Sequence, residues 1–245
     1  ALKNVTIGVN AENPNIHIYG EATDAGAMPV LSGTLNFPHG LVDIRVESIK
    51  FDGNAYSFER PVVINGIPAT PVDYGKIESV KCAVTGYKCG VFYYNSGTGT
   101  VNIGSVLLSN LYVTDTQGSG GDGIDVRAVT SIGRMEISEC TFVDGFRDFL
   151  RIDANATVSA IKFSKNTLCN VSNTNANKGI FYVRAAFDTF EFSDNLIMHA
   201  SNAEKSILAC NDIPNKISNN WFYKLSPVFW MPEEIDDKKV NETGR

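Results

Sequence analysis

The chain has 245 residues, of which 43% are hydrophobic and 20% charged, and its net charge is −6. Its 21 Lys and Arg residues are scattered and form no basic stripe, so a nucleic-acid partner is not expected. No apolar run approaches the ~20 residues of a membrane-spanning helix, so membrane insertion is not expected either.

The opening segments Val5-Thr6-Ile7, Ile16-His17-Ile18 and Val30-Leu31 read as short strands, with turns at Gly20, Gly26, Pro29 and Gly33. From there a phrase recurs: apolar, polar, small polar, apolar. Its copies are Val46-Glu47-Ser48-Ile49, Ile77-Glu78-Ser79-Val80, Leu108-Ser109-Asn110-Leu111 and Ile137-Ser138-Glu139-Cys140. Phe163-Ser164-Lys165-Asn166, Phe192-Ser193-Asp194-Asn195 and Ile217-Ser218-Asn219-Asn220 follow. Positions 48, 79, 110, 140, 166, 195 and 220 lie 25 to 31 residues apart. A repeat of this size, made of strand-like pieces with no helical unit, predicts a stacked β-solenoid.

A second column runs between the copies. It comprises Val62-Val63-Ile64-Asn65, Phe92-Tyr93-Tyr94-Asn95, Ile124-Asp125-Val126-Arg127, Leu150-Arg151-Ile152-Asp153, Phe181-Tyr182-Val183-Arg184 and Leu208-Ala209-Cys210-Asn211. First and third members are apolar throughout, and second and fourth are mostly polar. That alternation turns one side of each strand inward. In the first column, Asn110, Asn166, Asn195 and Asn220 are expected to stack as an amide ladder, with Ser48, Ser79 and Cys140 in the same slot. Seven to eight coils result, in one β-helix domain over residues 1–225. Residues 226–245 form a polar C-terminal tail or part of an end cap. No amphipathic cap helix is evident at either end, so an adjoining domain is expected to cover the open coil ends.

The opening strand, its Gly-rich turn and Met28-Pro29-Val30-Leu31-Ser32-Gly33 resemble the first coil of the pectate-lyase-like superfamily. Later phrases such as Phe192-Ser193-Asp194-Asn195-Leu196-Ile197 resemble coils of secreted Bacteroidetes β-helix domains of unknown function, which are linked to polysaccharide utilisation. The resemblance covers about residues 5–225 and implies an all-β, single-stranded, right-handed parallel β-helix. It implies a secreted, periplasmic or cell-surface location and a polysaccharide or oligosaccharide partner. Of the superfamily's hydrolase segments, Asn-Thr-Asp, Gly-His-Gly and Arg-Ile-Lys do not occur here, and the one Asp-Asp, Asp236-Asp237, lies in the polar tail; the Arg-x-Pro-x-x-Arg motif of its calcium-dependent lyases is also absent. In layout the chain is most similar to the family of alginate lyases and chondroitinase B. The Lys/Arg pair of that family has no secure counterpart, so no catalytic residue is carried over.

Register brings two polar rows to the outside of the second column. One holds Tyr93, Asp125, Arg151, Tyr182 and Ala209; the next holds Asn95, Arg127, Asp153, Arg184 and Asn211. Neighbours in a row stand ~4.8 Å apart. Asp125 would then face Arg151, and Asp153 would lie between Arg127 and Arg184. Two readings follow from Tyr93, Asp125, Arg127, Arg151, Asp153, Tyr182 and Arg184. In one, Arg forks bind uronate carboxylates and Tyr faces stack on sugar rings. In the other, the rows are a self-neutralising ladder of cross-strand ion pairs.

Asp125 and Asp153 have a spacing that an inverting hydrolase would accept, but flanking Arg charges keep carboxylates ionised where one must hold a proton. A lyase would need a base that this face does not obviously supply. His17, His39 and His199 do not cluster. Asp122, in the loop Gln117–Gly123, could join Asp125 around calcium, although the spacing fits neither an EF-hand nor a phosphate loop. No other cofactor or metal is expected. Five cysteines show no metal spacing. Cys140 and Cys210 read as buried, and Cys82 with Cys89 could close a short disulfide loop. Trp221 and Trp230 could stack on sugar rings, although Trp221 follows ladder residue Asn220 and is expected to pack. The chain thus reads as a β-helix module that binds glycan without demonstrable catalysis. The alternatives are a lyase for a uronate-containing glycan and a structural spacer or adhesin segment. Whether it is an enzyme stays open.

Overall fold

The computed structural model describes residues 5–6, 12, 14–22, 26–65, 72–95, 101–117, 121–127, 131–153, 156–172, 179–199, 206–210, 212–225, 228–231 and 240–241. Every described regular element is a β-strand. The strands stack into three sheets of ten, eight and eight strands, and the chain visits the sheets in strict rotation. One turn shows the pattern. Ile124–Arg127 lies in the first sheet, Ser131–Ser138 in the second and Thr141–Gly145 in the third, and Leu150–Ile152 then returns to the first beside Ile124. Among the described residues all pairings between turns are parallel, and the one antiparallel pair joins Val228–Met231 to Val240–Asn241. This is the parallel β-solenoid that the repeat predicts, with about six regular turns where seven to eight were expected. The difference lies at the two ends, where coils are built of shorter strands.

Inward residues form columns along the axis. From the first sheet come Leu35, Val62, Ile124, Leu150, Phe181 and Leu208, and from the third come Phe51, Val84, Val113, Phe142, Leu168 and Ile197, all buried. Phe149, Phe163, Phe181 and Phe192 meet edge-on or stacked at centroid distances of 4.8 to 5.7 Å, so aromatic packing runs across turns. Register in the first sheet matches the second sequence column residue for residue from Val62 to Cys210.

The first column needs correction in three places. The bend from the second sheet to the third uses one residue with positive φ per turn: Ser48, Lys81, Asn110, Glu139, Lys165, Asp194 and Asn219, at 53 to 59°; all but the half-buried Ser48 are exposed. The ladder slot is the next residue inward. It holds Ile49, Cys82, Leu111, Cys140, Asn166, Asn195 and Asn220. Asn110 and Ser48 therefore sit one position early, on the outside, where an Asn tolerates the left-handed conformation. Ser79 pairs with Val46 and Leu108 and faces inward, so the copy at Ile77–Val80 stands two residues out of phase with the others.

The true ladder is asparagine in its last three rungs. Asn220 Oδ1 accepts from the Asn195 backbone N–H (3.0 Å) and Nδ2 (2.9 Å), while Asn195 Nδ2 also donates to the Phe163 carbonyl at 3.1 Å. Asn195 Oδ1 accepts from Asn166 in the same way, and Asn166 Oδ1 accepts from the Cys140 N–H at 3.0 Å. Cys140 extends the series with sulfur: Sγ accepts the Leu111 N–H at 3.4 Å and donates toward the Ser138 carbonyl at 3.2 Å. Burial pushes its thiol up to about 12, so it stays protonated and keeps that donor. All five cysteines are free thiols, and the proposed Cys82–Cys89 bridge is absent.

The long strands of the second sheet break their alternation once each. Two successive residues face outward at Gly104-Ser105, Gly133-Arg134, Ser159-Ala160 and Asp188-Thr189. A Cβ on Gly104 would lie 2.5 Å from the Gly75 carbonyl oxygen, and one on Gly133 would lie 2.6 Å from that of Gly104. At these two breaks the coils approach too closely for a side chain, which explains the glycines; the later breaks carry Ser159 and Asp188.

Asn195→Ala is expected to lower stability by about 2–3 kcal/mol, because it takes the acceptor from the buried Asn166 N–H and a donor from the Phe163 carbonyl and Asn220 Oδ1. Asn110→Ala, in the exposed turn, should cost about 1 kcal/mol or less. Denaturant unfolding of both variants checks the ladder assignment; equal losses would refute it.

Candidate functional site

The first sheet places the predicted row as expected. Tyr93 pairs with Asp125, Asp125 with Arg151, Arg151 with Tyr182, and Tyr182 with Ala209. In the adjoining row Asn95 pairs with Arg127. Asp153 and Arg184 continue past the last strand residues, their N–H groups donating to the Val126 and Ile152 carbonyls at 3.2 and 2.9 Å. The side chains of Tyr93 and Arg127 lie outside the described residues.

The side chains pair differently from a simple strand-to-strand ladder. Asp125 is 0% exposed, and Arg60 brings Nη2 within 3.6 Å of its Oδ2. Arg60 belongs to the turn entering the first sheet two coils earlier, so its long side chain spans the intervening strand. Arg151 turns instead to Asp153, with Nε 3.0 Å from Oδ1, and to Asp122, with Nη1 3.6 Å from Oδ2. Arg184 Nη1 stands 3.9 Å from Asp153 Oδ1. Tyr182 is only 6% exposed, and the guanidinium carbons of Arg151 and Arg184 lie 5.8 and 5.7 Å from its ring centroid. The Tyr182 ring is therefore a cation–π seat for two arginines.

Beneath these groups lies a layer that the sequence reading did not assemble. Asp122 receives both Nε and Nη2 of Arg147 at 2.9 Å, a bidentate fork, and Arg147 Nε is 3.9 Å from Asp148 Oδ2. Asp122 and Asp148 are, like Asp125, fully buried. Burial pushes the neighbouring Cys89 thiol up; Arg60 opposes this, while Glu59, Asp122 and Asp125 add to it. Burying this many charges requires full pairing, because one lone carboxylate in such a place costs several kcal/mol. The missing signal was positional. Arg60, Arg147 and Asp148 lie in turns between the third and first sheets, and turns of unequal length carry no register that a repeat can reveal.

Asp122 spends both carboxylate oxygens on Arg147, so the Asp122/Asp125 calcium reading finds a cation already in place. Among the described residues no group of three or more His, Cys, Asp or Glu is arranged to hold a metal. Asp125 is sealed from solvent, so it and Asp153 do not flank an open gap as a hydrolase pair would. Trp221, expected to pack, is instead 75% exposed on the third sheet.

The second sheet's outer face has a separate charge pattern. Arg45 pairs with Glu78 at 2.8 Å, Lys162 with Glu136 at 3.1 Å and Lys216 with Glu191 at 2.8 Å. This face is the self-neutralising ladder. Hydrogen bonding from Arg45 holds Glu47 below the usual carboxylate range, and Lys216 does the same for Glu191. Burial works against the lowering at Glu136, but bonds from Arg134 and Lys162 outweigh it.

Comparison with known protein families, curated proteins and solved structures gives no match for this chain.

Arg147→Ala should cost roughly 3 kcal/mol by leaving Asp122 buried without its fork. Arg147→Lys should recover only part of that, since an ammonium cannot reproduce two parallel bonds. Thermal unfolding of the two variants checks this, and a neutral Arg147→Ala would show that the layer is open to water. Acid provides a second test. Glu47, Glu136 and Glu191 have folded pKa values below their ordinary 4.5. Their contribution is thus complete above that value and fades as pH falls through the folded ones. The melting temperature should drop on acidification below about pH 4.5, and less so in a Glu191→Gln variant.

Proposed function

We propose that this chain is a β-helix module of the pectate-lyase-like kind, secreted or displayed at the cell surface, that binds an acidic polysaccharide along the outside of its first sheet. One observation carries the reading: Arg151 and Arg184 are held side by side against the Tyr182 ring, with Asp153 as their shared counter-ion. Arg151 and Arg184 keep 17% and 33% of their side chains in solvent, and the buried Asp122 anchors Arg151 from below. A guanidinium fixed in this way loses little rotamer freedom when it meets a carboxylate. Arg151 pairs in register with Tyr182, so Arg184 lies one strand over and two residues along, roughly 8 Å away, and the two can meet successive acidic groups of a polymer. The carboxylates of the site are engaged by arginines, which favours holding an anion over passing a proton. Binding is therefore preferred to catalysis.

Calorimetry against polygalacturonate, alginate and a neutral cello-oligosaccharide tests this. The acidic polymers should bind and the neutral one should not, with affinity falling as salt rises. Arg184→Ala should weaken binding by about tenfold or more, equivalent to about 1.4 kcal/mol. Unchanged affinity in that variant would remove the site, and release of unsaturated uronate products would make the protein a lyase instead.

A further inference from the structure

The third sheet ends in the strand Trp221–Tyr223, whose two aromatic side chains are 75% and 55% exposed. Leu196, beside Trp221 in register, is also exposed, and Met198 pairs with Tyr223. Tryptophan is seldom this open, and here it belongs to a contiguous apolar surface on a flat sheet. One border of that surface is cationic. The left-handed turn residues His199 and Lys224 lie next to Tyr223, with the His199 ring edge-on at 5.4 Å and Lys224 Nζ 5.3 Å from the ring centroid. On the opposite border Asp194 accepts from Asn219 at 3.0 Å.

We propose that Trp221, Tyr223 and Lys224 form a second glycan subsite, which takes a short stretch of an acidic sugar chain. This rests on the acidic-polysaccharide reading but uses a different face. Side chains two residues apart on a strand stand ~7 Å apart on one side of the sheet. Two rings at that spacing can each receive the apolar C–H face of a sugar ring, while Lys224 supplies charge for the acidic groups. Two strands ~5 Å apart and two residues ~7 Å apart set the scale of the patch. The same distances suit a disaccharide.

Acrylamide quenching of tryptophan fluorescence, read while titrating oligogalacturonate or a neutral cello-oligosaccharide, tests the subsite. Oligogalacturonate should shield Trp221 and the neutral sugar should not. Trp221→Ala should abolish the shielding and weaken binding about tenfold without moving the melting temperature, because the ring is exposed. Arg184→Ala should leave the shielding intact. If oligogalacturonate binds with full affinity to Trp221→Ala and is lost only in Arg184→Ala, this subsite is wrong and the first-sheet site stands. The reverse pattern keeps the subsite and removes the first-sheet site. Equal shielding by the neutral sugar, or shielding that rises with protein concentration in sedimentation-matched samples without sugar, would overturn the proposal.

Discussion

The structure depends on axial hydrogen bonding between successive parallel coils, and the second-to-third-sheet bend is where that bonding is hardest to complete. Each coil turns there on a single residue with positive φ, which pulls the next backbone N–H into the interior. A buried donor of this kind must find a partner. For the N–H groups of Leu111, Cys140, Asn166 and Asn195 the side chain of the following coil provides one, through sulfur or amide oxygen. Once that bend is satisfied, each coil is locked in register on the last, and all three faces become rows of aligned residues.

The three faces have different electrostatic character. Outside the second sheet, opposite charges alternate in solvent, which keeps a flat sheet soluble at little energetic gain. Outside the first sheet, Asp122, Asp125 and Asp148 are buried under arginines, where pairing is obligatory. The third sheet carries little charge and ends in open aromatic rings. Buried ion pairs rarely maximise stability, since well-packed apolar residues could replace them at no cost. Among the described residues, buried charges occur on the first-sheet face, where they support partly exposed arginines.

The columns of strand residues were legible because a parallel stack repeats the same environment every turn. Val62 to Cys210 sit where alternation alone puts them, and Tyr93, Asp125, Arg151 and Tyr182 share a row for the same reason. The ladder slot was legible only in its asparagine half. Ile49, Cys82 and Leu111 do not look like asparagine, and Asn110 and Ser48 mimic the ladder from the adjacent turn position. The mid-strand break at Gly104 and Gly133 left a recurring small residue after an apolar one, a signal available in the sequence and overlooked.

What the chain alone determined, then, was periodic: strand order, inward columns and which outward residues are neighbours, since these follow from a 25 to 31-residue repeat and the two-residue alternation of a strand. Tertiary structure decided everything that depends on the reach of a long side chain or on a turn of irregular length. It turned Arg60 to Asp125 and Arg147 to Asp122, enclosed Tyr182 between two arginines, and left Trp221 in solvent. Burial of a charge or exposure of a ring is set by what neighbouring turns place over it, and no local pattern encodes that.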